Sequence, residues 1–359
     1  MRICRQSLFI GLLIAPLTAV ANDPSELKEL KAEIENIYEE MAILESTSDN
    51  WVNVSGYADV EYSGNDKTES SDGFHIHHLS LFFEKHFEEN LSFFSEIEFE
   101  DAPKFESNAD SDAFKASEGK IFVEAVNMTY SFNSKVSVRV GRMFTPAGIW
   151  SEDHYPPFVP TQDRPLHVRN VFPQLVDGVA IRGTIPMDSI YLNYNVYTGN
   201  GEGNSGHNDN NSAKAFGATG TFILPAQHLK FGATFYTDTL NDNTDKTSYG
   251  AHVKGKFNAF TVQAEYANAR LVPVDTGGYD VRGFYIQGLY NYKDWTFGGR
   301  YDVFDKNTSD DEEHIKQSVF VNYHVNPTTT IKAEYHINNF EIATDYNSYI
   351  LSFTTFLGK

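Results

Sequence analysis

Along most of this chain, apolar and polar residues alternate with a period of two, and the alternating stretches are joined by connections that are short, then long, then short again. A period of two is the signature of a β-strand whose faces meet different surroundings. WVNVSGYADVEYS places Val52, Val54, Ala58 and Val60 on one face and Asn53, Ser55, Asp59 and Glu61 on the other. The same alternation recurs in KVSVRV, SIYLNYNVY, HLKFGATFY, SYGAHVKGKF, FTVQAEYANA, TFGGRYDVF, QSVFVNYHV, TTIKAEYHI and NSYILSF. Less regular copies lie at 74–87, 91–100, 120–132, 176–185, 214–224 and 281–292, which brings the total to sixteen strands.

The connections constrain the fold further. Tight turns fall at Glu88-Glu89-Asn90, Asn133-Ser134, Pro186-Met187-Asp188, Pro225-Ala226-Gln227, Asn258-Ala259, Lys293-Asp294 and Asn326-Pro327. Between them sit polar loops such as YSGNDKTESSDG, DAPKFESNADSDAFKASEG, GNGEGNSGHNDNNS and FDKNTSDDEEH. Short turns at one end and long polar loops at the other describe an outer-membrane barrel. An even strand count returns both chain ends to the short-turn, periplasmic side. Phe87, Phe132, Phe257, Phe260, Tyr292, Trp295 and Tyr323 flank the tight turns, where an interfacial girdle of aromatics belongs. A soluble β-sandwich also alternates, but it has no reason to alternate its turn lengths or to gather aromatics at one end.

The first fifty residues follow other rules. Arg2 and Arg5, the apolar run Leu8 to Leu17 and Ala19-Val20-Ala21 make 1–21 a signal peptide, too short in its apolar part to span a membrane. Loss of Arg2 and Arg5 takes the formal charge from −21 to −23, a balance that excludes nucleic acid as a partner. The one cysteine, Cys4, leaves with the signal, so the mature chain has no disulfide or thiolate chemistry. Over 22–46, Leu27, Leu30, Ile34, Ile37, Met41 and Leu44 are spaced 3, 4, 3, 4, 3 among Glu and Lys, a heptad seam. A helix this short needs a partner, and isoleucine at both seam positions favours three strands over two. The alternative is an amphipathic helix packed on its own domain. Residues 47–50 form a linker, and 51–359 the barrel. The fold expected is thus all-β: a sixteen-stranded antiparallel transmembrane β-barrel preceded by a short N-terminal coiled-coil helix.

One segment breaks the rhythm. Met143 to Leu175 carries six prolines, at 146, 156, 157, 160, 165 and 173, and ends in the basic stretch DRPLHVRN. An irregular connection of about thirty residues is uncommon and usually functional. It joins the fifth strand to the sixth on the long-loop side, and a sixteen-strand lumen is wide and aqueous. Folded inward and stiffened by its prolines, it constricts that lumen. Asp163 before Arg164 and Pro165 suggests a short helix presenting Arg164 and His167 on one side.

VGRMFTPAGIW, PPFVPTQDRPLHVRN and VDGVAIRG together resemble the strand–loop–strand core of the phosphate-selective porin O/P family. The likeness covers the layout of the mature chain, with its motif content between Gly141 and Gly183. It implies a trimer with a periplasmic helix, a passive pore for small hydrophilic solutes and ions, and a preference for anions such as phosphate. Of the arginine ladder used by anion-binding members, only Arg139, Arg164, His167, Arg169 and Arg182 find counterparts. Glu152, Asp153 and Asp163 complete the candidate constriction. The C-terminus also departs from the barrel pattern, since FTTFLGK runs past its aromatics Phe353 and Phe356. Tyr349, Leu351 and Phe353 still alternate as a final strand should.

Polar faces turned to the lumen place Asp59, Glu61, Glu84, Glu96 and Glu98 on the first three strands. Lys135, Arg139 and Arg182 follow, then Lys230, His252, Lys254, Lys256, Glu265, Arg300, Asp302, Lys316, Lys332 and Glu334. These are either selectivity charges or ordinary solvated pairs that keep a lumen wet. Outer-loop carboxylates Asp310, Asp311, Glu312 and Glu313 face lipopolysaccharide. In FHIHHLS, His75 and His77 share a strand face, but two histidines do not complete a zinc site, and no metal or other cofactor is assigned. No catalytic motif appears, so an enzyme is not expected. The rival reading is an adhesin or structural barrel with a blocked pore.

Overall fold

The computed structural model describes residues 51–67, 72–107, 114–117, 119–202, 211–310 and 312–358; the signal peptide, coiled-coil helix and linker read at 1–50 lie outside them. The first strands are β1 (Asn53–Asn65), β2 (Gly73–Glu88), β3 (Leu91–Glu100), β4 (Lys104–Ser107), β5 (Phe114–Ser117) and β6 (Lys120–Asn133). Then come β7 (Val136–Phe144), β8 (Leu175–Met187), β9 (Ile190–Gly199), β10 (Ala215–Leu224), β11 (Leu229–Thr239) and β12 (Asp245–Phe257). The chain finishes with β13 (Phe260–Val272), β14 (Tyr279–Tyr292), β15 (Trp295–Asp305), β16 (Glu313–Asn326), β17 (Thr329–Phe340) and β18 (Tyr346–Leu357).

Among the described residues, sixteen of these strands close into one antiparallel barrel, and each pairs with its sequence neighbour in it. The two ends of the sheet meet where β1 pairs with β18, with Asp59 opposite Thr354 and Val60 opposite Phe353. The final strand therefore takes its place despite its unusual ending. Closure removes every sheet edge, as a strand array in lipid requires.

The faces divide as the alternation demands. Val60, Val253, Val262, Ile286, Val319, Ile337 and Leu351 are exposed on the outer face. Asp59, Glu61, Glu96, Glu98, Arg300, Asp302 and Lys332 are buried inside. Phe257 and Phe260, Tyr292 and Trp295, and Trp295 and Tyr323 are cross-strand partners beside the tight turns, all exposed. They form the aromatic girdle at that end.

The long connection between β3 and β6 differs from the polar loop expected of it. It contains the antiparallel hairpin β4–β5, with Lys104 opposite Ser117. Strands of four residues carry too few alternations to register in sequence.

Apolar packing sits inside the barrel, where the β7–β8 loop enters. Ala147, Val171 and Phe172 of that loop pack with Met143, Tyr197, Tyr236 and Ala267 of the wall. Ile149, Trp150 and Val159 form a second cluster with Tyr285.

Candidate functional site

The segment 145–174 folds into the lumen, and the wall charges explain how it stays there. Irregular backbone at membrane depth needs partners for its N–H and C=O groups, and prolines leave it fewer hydrogen bonds of its own. The wall supplies them. Glu265 of β13 accepts the N–H of Ile149 at 2.8 Å and of Trp150 at 3.3 Å. It also accepts the Tyr285 hydroxyl at 2.8 Å, and Tyr285 in turn accepts Gln263 Nε2 at 2.9 Å. Lys332 Nζ donates to the carbonyls of Pro156 at 2.6 Å and Val159 at 2.8 Å. Glu334 accepts the N–H of Gln162 at 2.6 Å. Asn322 Nδ2 donates to Pro160 O at 2.8 Å, and Ser248 Oγ to Val171 O at 3.1 Å.

Arg300 is the densest of these clamps. Its Nε donates to Asp302 at 2.8 Å, one terminal nitrogen to Thr161 Oγ1 at 2.7 Å, and the other to the carbonyl and carboxylate of Asp163 at 2.9 Å each. Lys316 Nζ reaches the Asp163 carboxylate too, and the Arg164 carbonyl at 3.2 Å. Burial on its own would raise the Asp163 carboxyl, but Lys316 and Arg300 outweigh it and hold the group below the usual carboxylate range. Asp163 is therefore a fastener between loop and wall. Several charges expected to line the lumen, Glu265, Arg300, Asp302, Lys316, Lys332 and Glu334, do the same work.

Two glycines allow the close fit. Gly148 has φ +66°, and a Cβ there would lie 1.8 Å from Glu265 Oε2. At Gly250 a Cβ would press on the Phe172 ring at 3.2 Å, so the bare backbone is the seat for that side chain.

The remaining candidates divide between the two sides of the loop. At the long-loop end, Arg164 and Arg169 line a cavity of ≈ 280 Å³ with Glu61, His77, His78, Glu100 and His154. Arg169 holds a left-handed φ of 69° and lies 3.9 Å from Glu124. At the tight-turn end, Arg182, Lys230, Glu152 and Asp153 line a cavity of ≈ 350 Å³. Arg139, Glu84 and Glu152 line a neighbouring one of ≈ 320 Å³, where Arg139 Nε donates to Thr129 at 3.1 Å. Glu152 belongs to both, and with Lys254 to a third of ≈ 310 Å³. Lys230 is 3.7 Å from Asp153.

His167 differs from the expectation. The stretch after Asp163 makes successive turns, not a helix, with the N–H groups of Asn170 and Val171 both bonded to the His167 carbonyl. Arg164 faces the outer cavity, whereas His167 turns inward and stacks on Tyr285 with ring centroids 5.7 Å apart. Burial, with Arg300 nearby, lowers its imidazole to about 4, so it is neutral. His154 is buried between Phe144 and Tyr155, and burial, then Arg164 and Arg169, lowers it to about 3.

A closed barrel with an apolar exterior, a charged interior and a loop from its own wall strapped across the lumen defines the porin class. The chain belongs to the Gram-negative porin family, whose sequence profile matches residues 41–342. It is an outer-membrane protein by that membership and that fold. A protein of Aquifex aeolicus (strain VF5) that carries no assigned function is 35% identical over 152 residues, which are 42% of this chain and about a third, 32%, of that relative. The anion-selective porin of Comamonas acidovorans shares the fold at a TM-score of 0.65 and 10% identity, over 86% of this chain and 99% of that one. In-vitro folded OmpT of Vibrio cholerae, in its trimer form, aligns at a TM-score of 0.59 and 13% identity, over 85% of this chain and 99% of the other.

Proposed function

We propose that the protein is a passive diffusion channel for small hydrophilic solutes and ions, biased toward anions such as phosphate by the arginines on and beside the inward loop. The observation that carries this reading is how the loop's charges are spent. The wall's Arg300 and Lys316 tie up Asp163 where it borders the outer cavity, which leaves Arg164 and Arg169 as that cavity's basic side. Arg139, Arg182, Lys230 and Lys254 face the inner ones opposite Glu152 and Asp153. Across the outer cavity stand Glu61 and Glu100, so an ion entering there crosses a field between acidic wall and basic loop. Such a field orients dipolar solutes and sorts ions without any cofactor.

The assembly we propose is a homotrimer. The heptad seam from Leu27 to Leu44 supports it, and Vibrio cholerae OmpT, of the same fold, forms a trimer. The seam would then lie in the periplasm, since β1 begins and β18 ends at the tight-turn end.

Reconstitution in a planar bilayer under a potassium chloride gradient tests the channel and its sign together. A chloride-directed reversal potential that R164A/R169A abolishes supports the anion reading. A potassium-directed potential indifferent to that change leaves a general pore ruled by its acidic wall. Folded protein that forms no channels sinks the reading and favours the blocked barrel.

A further inference from the structure

The histidines of FHIHHLS lie at the outer mouth, and the structure brings them together in a way that alternation alone forbids. A β-bulge between Asp59 and Val60 on β1 faces an extra residue on β2, so Asp59 pairs with His78 while Val60 pairs with Ile76. His77 is the extra residue. Adjacent residues normally point to opposite faces, but here both imidazoles turn to the same carboxylate. His78 Nδ1 lies 3.0 Å from Asp59 Oδ1, and His77 Nδ1 lies 3.6 Å from Asp59 Oδ2 and 2.9 Å from Glu61 Oε1. Behind them His75 Nε2 holds the other oxygen of Glu61 at 3.1 Å.

We propose that Asp59, Glu61, His77 and His78 bind a divalent transition cation of the zinc class. One donor atom each from Asp59, His77 and His78 lies within 4.8 Å of the others, and Glu61, outside that trio but 2.9 Å from His77 Nδ1, is the neighbour that would swing in as fourth ligand. A tetrahedral zinc with bonds of about 2.0–2.2 Å needs its donors roughly 3.4 Å apart, a contraction that small side-chain rotations supply. Two imidazole nitrogens with carboxylate oxygens suit zinc, nickel or copper and not calcium or magnesium, which take oxygen alone. His75 is placed as the outer partner that orients Glu61.

A second observation points the same way. On the far side of His78, Glu98 is buried with Oε1 lacking a hydrogen-bond partner among the described residues, 4.0 Å from His78 Nε2. A carboxylate left this way is costly unless positive charge gathers beside it. Glu61, His77 and His78 also border the ≈ 280 Å³ outer cavity, which gives an ion a route in.

The competing arrangement is a network in which protons, and no metal, link the same groups. Titration of untagged, detergent-solubilised protein with zinc chloride, followed calorimetrically, separates the two. The expected result is saturable uptake of about one zinc per chain, weakened at least about tenfold by H77Q or H78Q. His228→Gln at a tight turn should leave it unchanged. Heat-modifiable electrophoretic mobility checks that each variant is folded. X-ray absorption at the zinc edge on the unaltered protein needs no variant and should report two imidazoles with oxygen donors. No saturable binding, binding unchanged in both variants, equal competition by calcium chloride, or a shell of oxygen alone would each overturn the site.

Discussion

Glu265 and Ile149 are 116 residues apart in the chain, yet the carboxylate of one accepts the amide of the other at 2.8 Å inside the barrel. That contact, with Trp150 and Tyr285 on the same carboxylate, fixes the tip of the inward loop. Glu265→Ala strands several buried donors, each worth roughly 1–3 kcal/mol when unsatisfied. The expected outcome is a lower urea midpoint and a larger, noisier single-channel conductance, with Glu265→Gln in between. An Ala variant with conductance identical to the parent would show that Glu265 does not hold the loop.

Arg300 is tied to Asp302, Thr161 and Asp163 at 2.7–2.9 Å. Replacing it with methionine keeps bulk and leaves two carboxylates short of their cation, an imbalance of roughly 3–5 kcal/mol for a buried pair. Adding Asp163→Asn should return part of that loss. A double-mutant cycle in urea measures the coupling, and strict additivity would mean that the two side chains do not share one clamp.

Acid should loosen the loop through His167. Its folded value of about 4 is below the ordinary imidazole value, because burial, with Arg300 nearby, favours the neutral form. The unfolded state therefore binds the proton first. Its contribution to stability is full above about pH 6.5 and is lost as pH falls from there toward about 4. His167→Phe keeps an aromatic against Tyr285 and removes the proton. Comparing urea midpoints at pH 7 and pH 5 should show a smaller acid loss in the variant.

Gly148→Ala tests the fit from the backbone side. The new Cβ meets Glu265 Oε2 at 1.8 Å with φ at +66°, so loop or carboxylate must move. Gly277→Ala meets nothing within 4 Å and serves as the control. Lower stability and altered conductance are expected for the first alone. Two indistinguishable variants would mean that the tip has room the structure does not show.

Much of the barrel is legible in sequence because the two faces of each strand meet opposite solvents. Leu91–Glu100 and Lys120–Asn133 reproduce the expected strands almost to the residue. The inward loop is visible as well, since six prolines between 143 and 175 cannot belong to a strand. Its clamps are not. Lys332 looks like any inward-facing lysine until the carbonyls of Pro156 and Val159 appear 2.6 and 2.8 Å from its nitrogen. No local pattern encodes a pairing across 176 residues. The outer histidines are legible only in part: His75 and His77 share a face as alternation requires, both on Glu61, but the bulge that adds His78 to that face leaves no mark in the pattern.

The sequence by itself determined the strands, their inward and outward faces, the alternation of turns and loops, and the existence of one stiff interruption. Each follows from local chemistry: period two, chain reversal, and proline's fixed φ. Only the tertiary structure decided that Asp163 fastens while Arg164 stays open, that His167 packs as a neutral ring, and that Asp59 meets two adjacent histidines. Those outcomes depend on which charges closure of the barrel brings face to face, and on a desolvation cost that exists only once the loop has folded into the lumen.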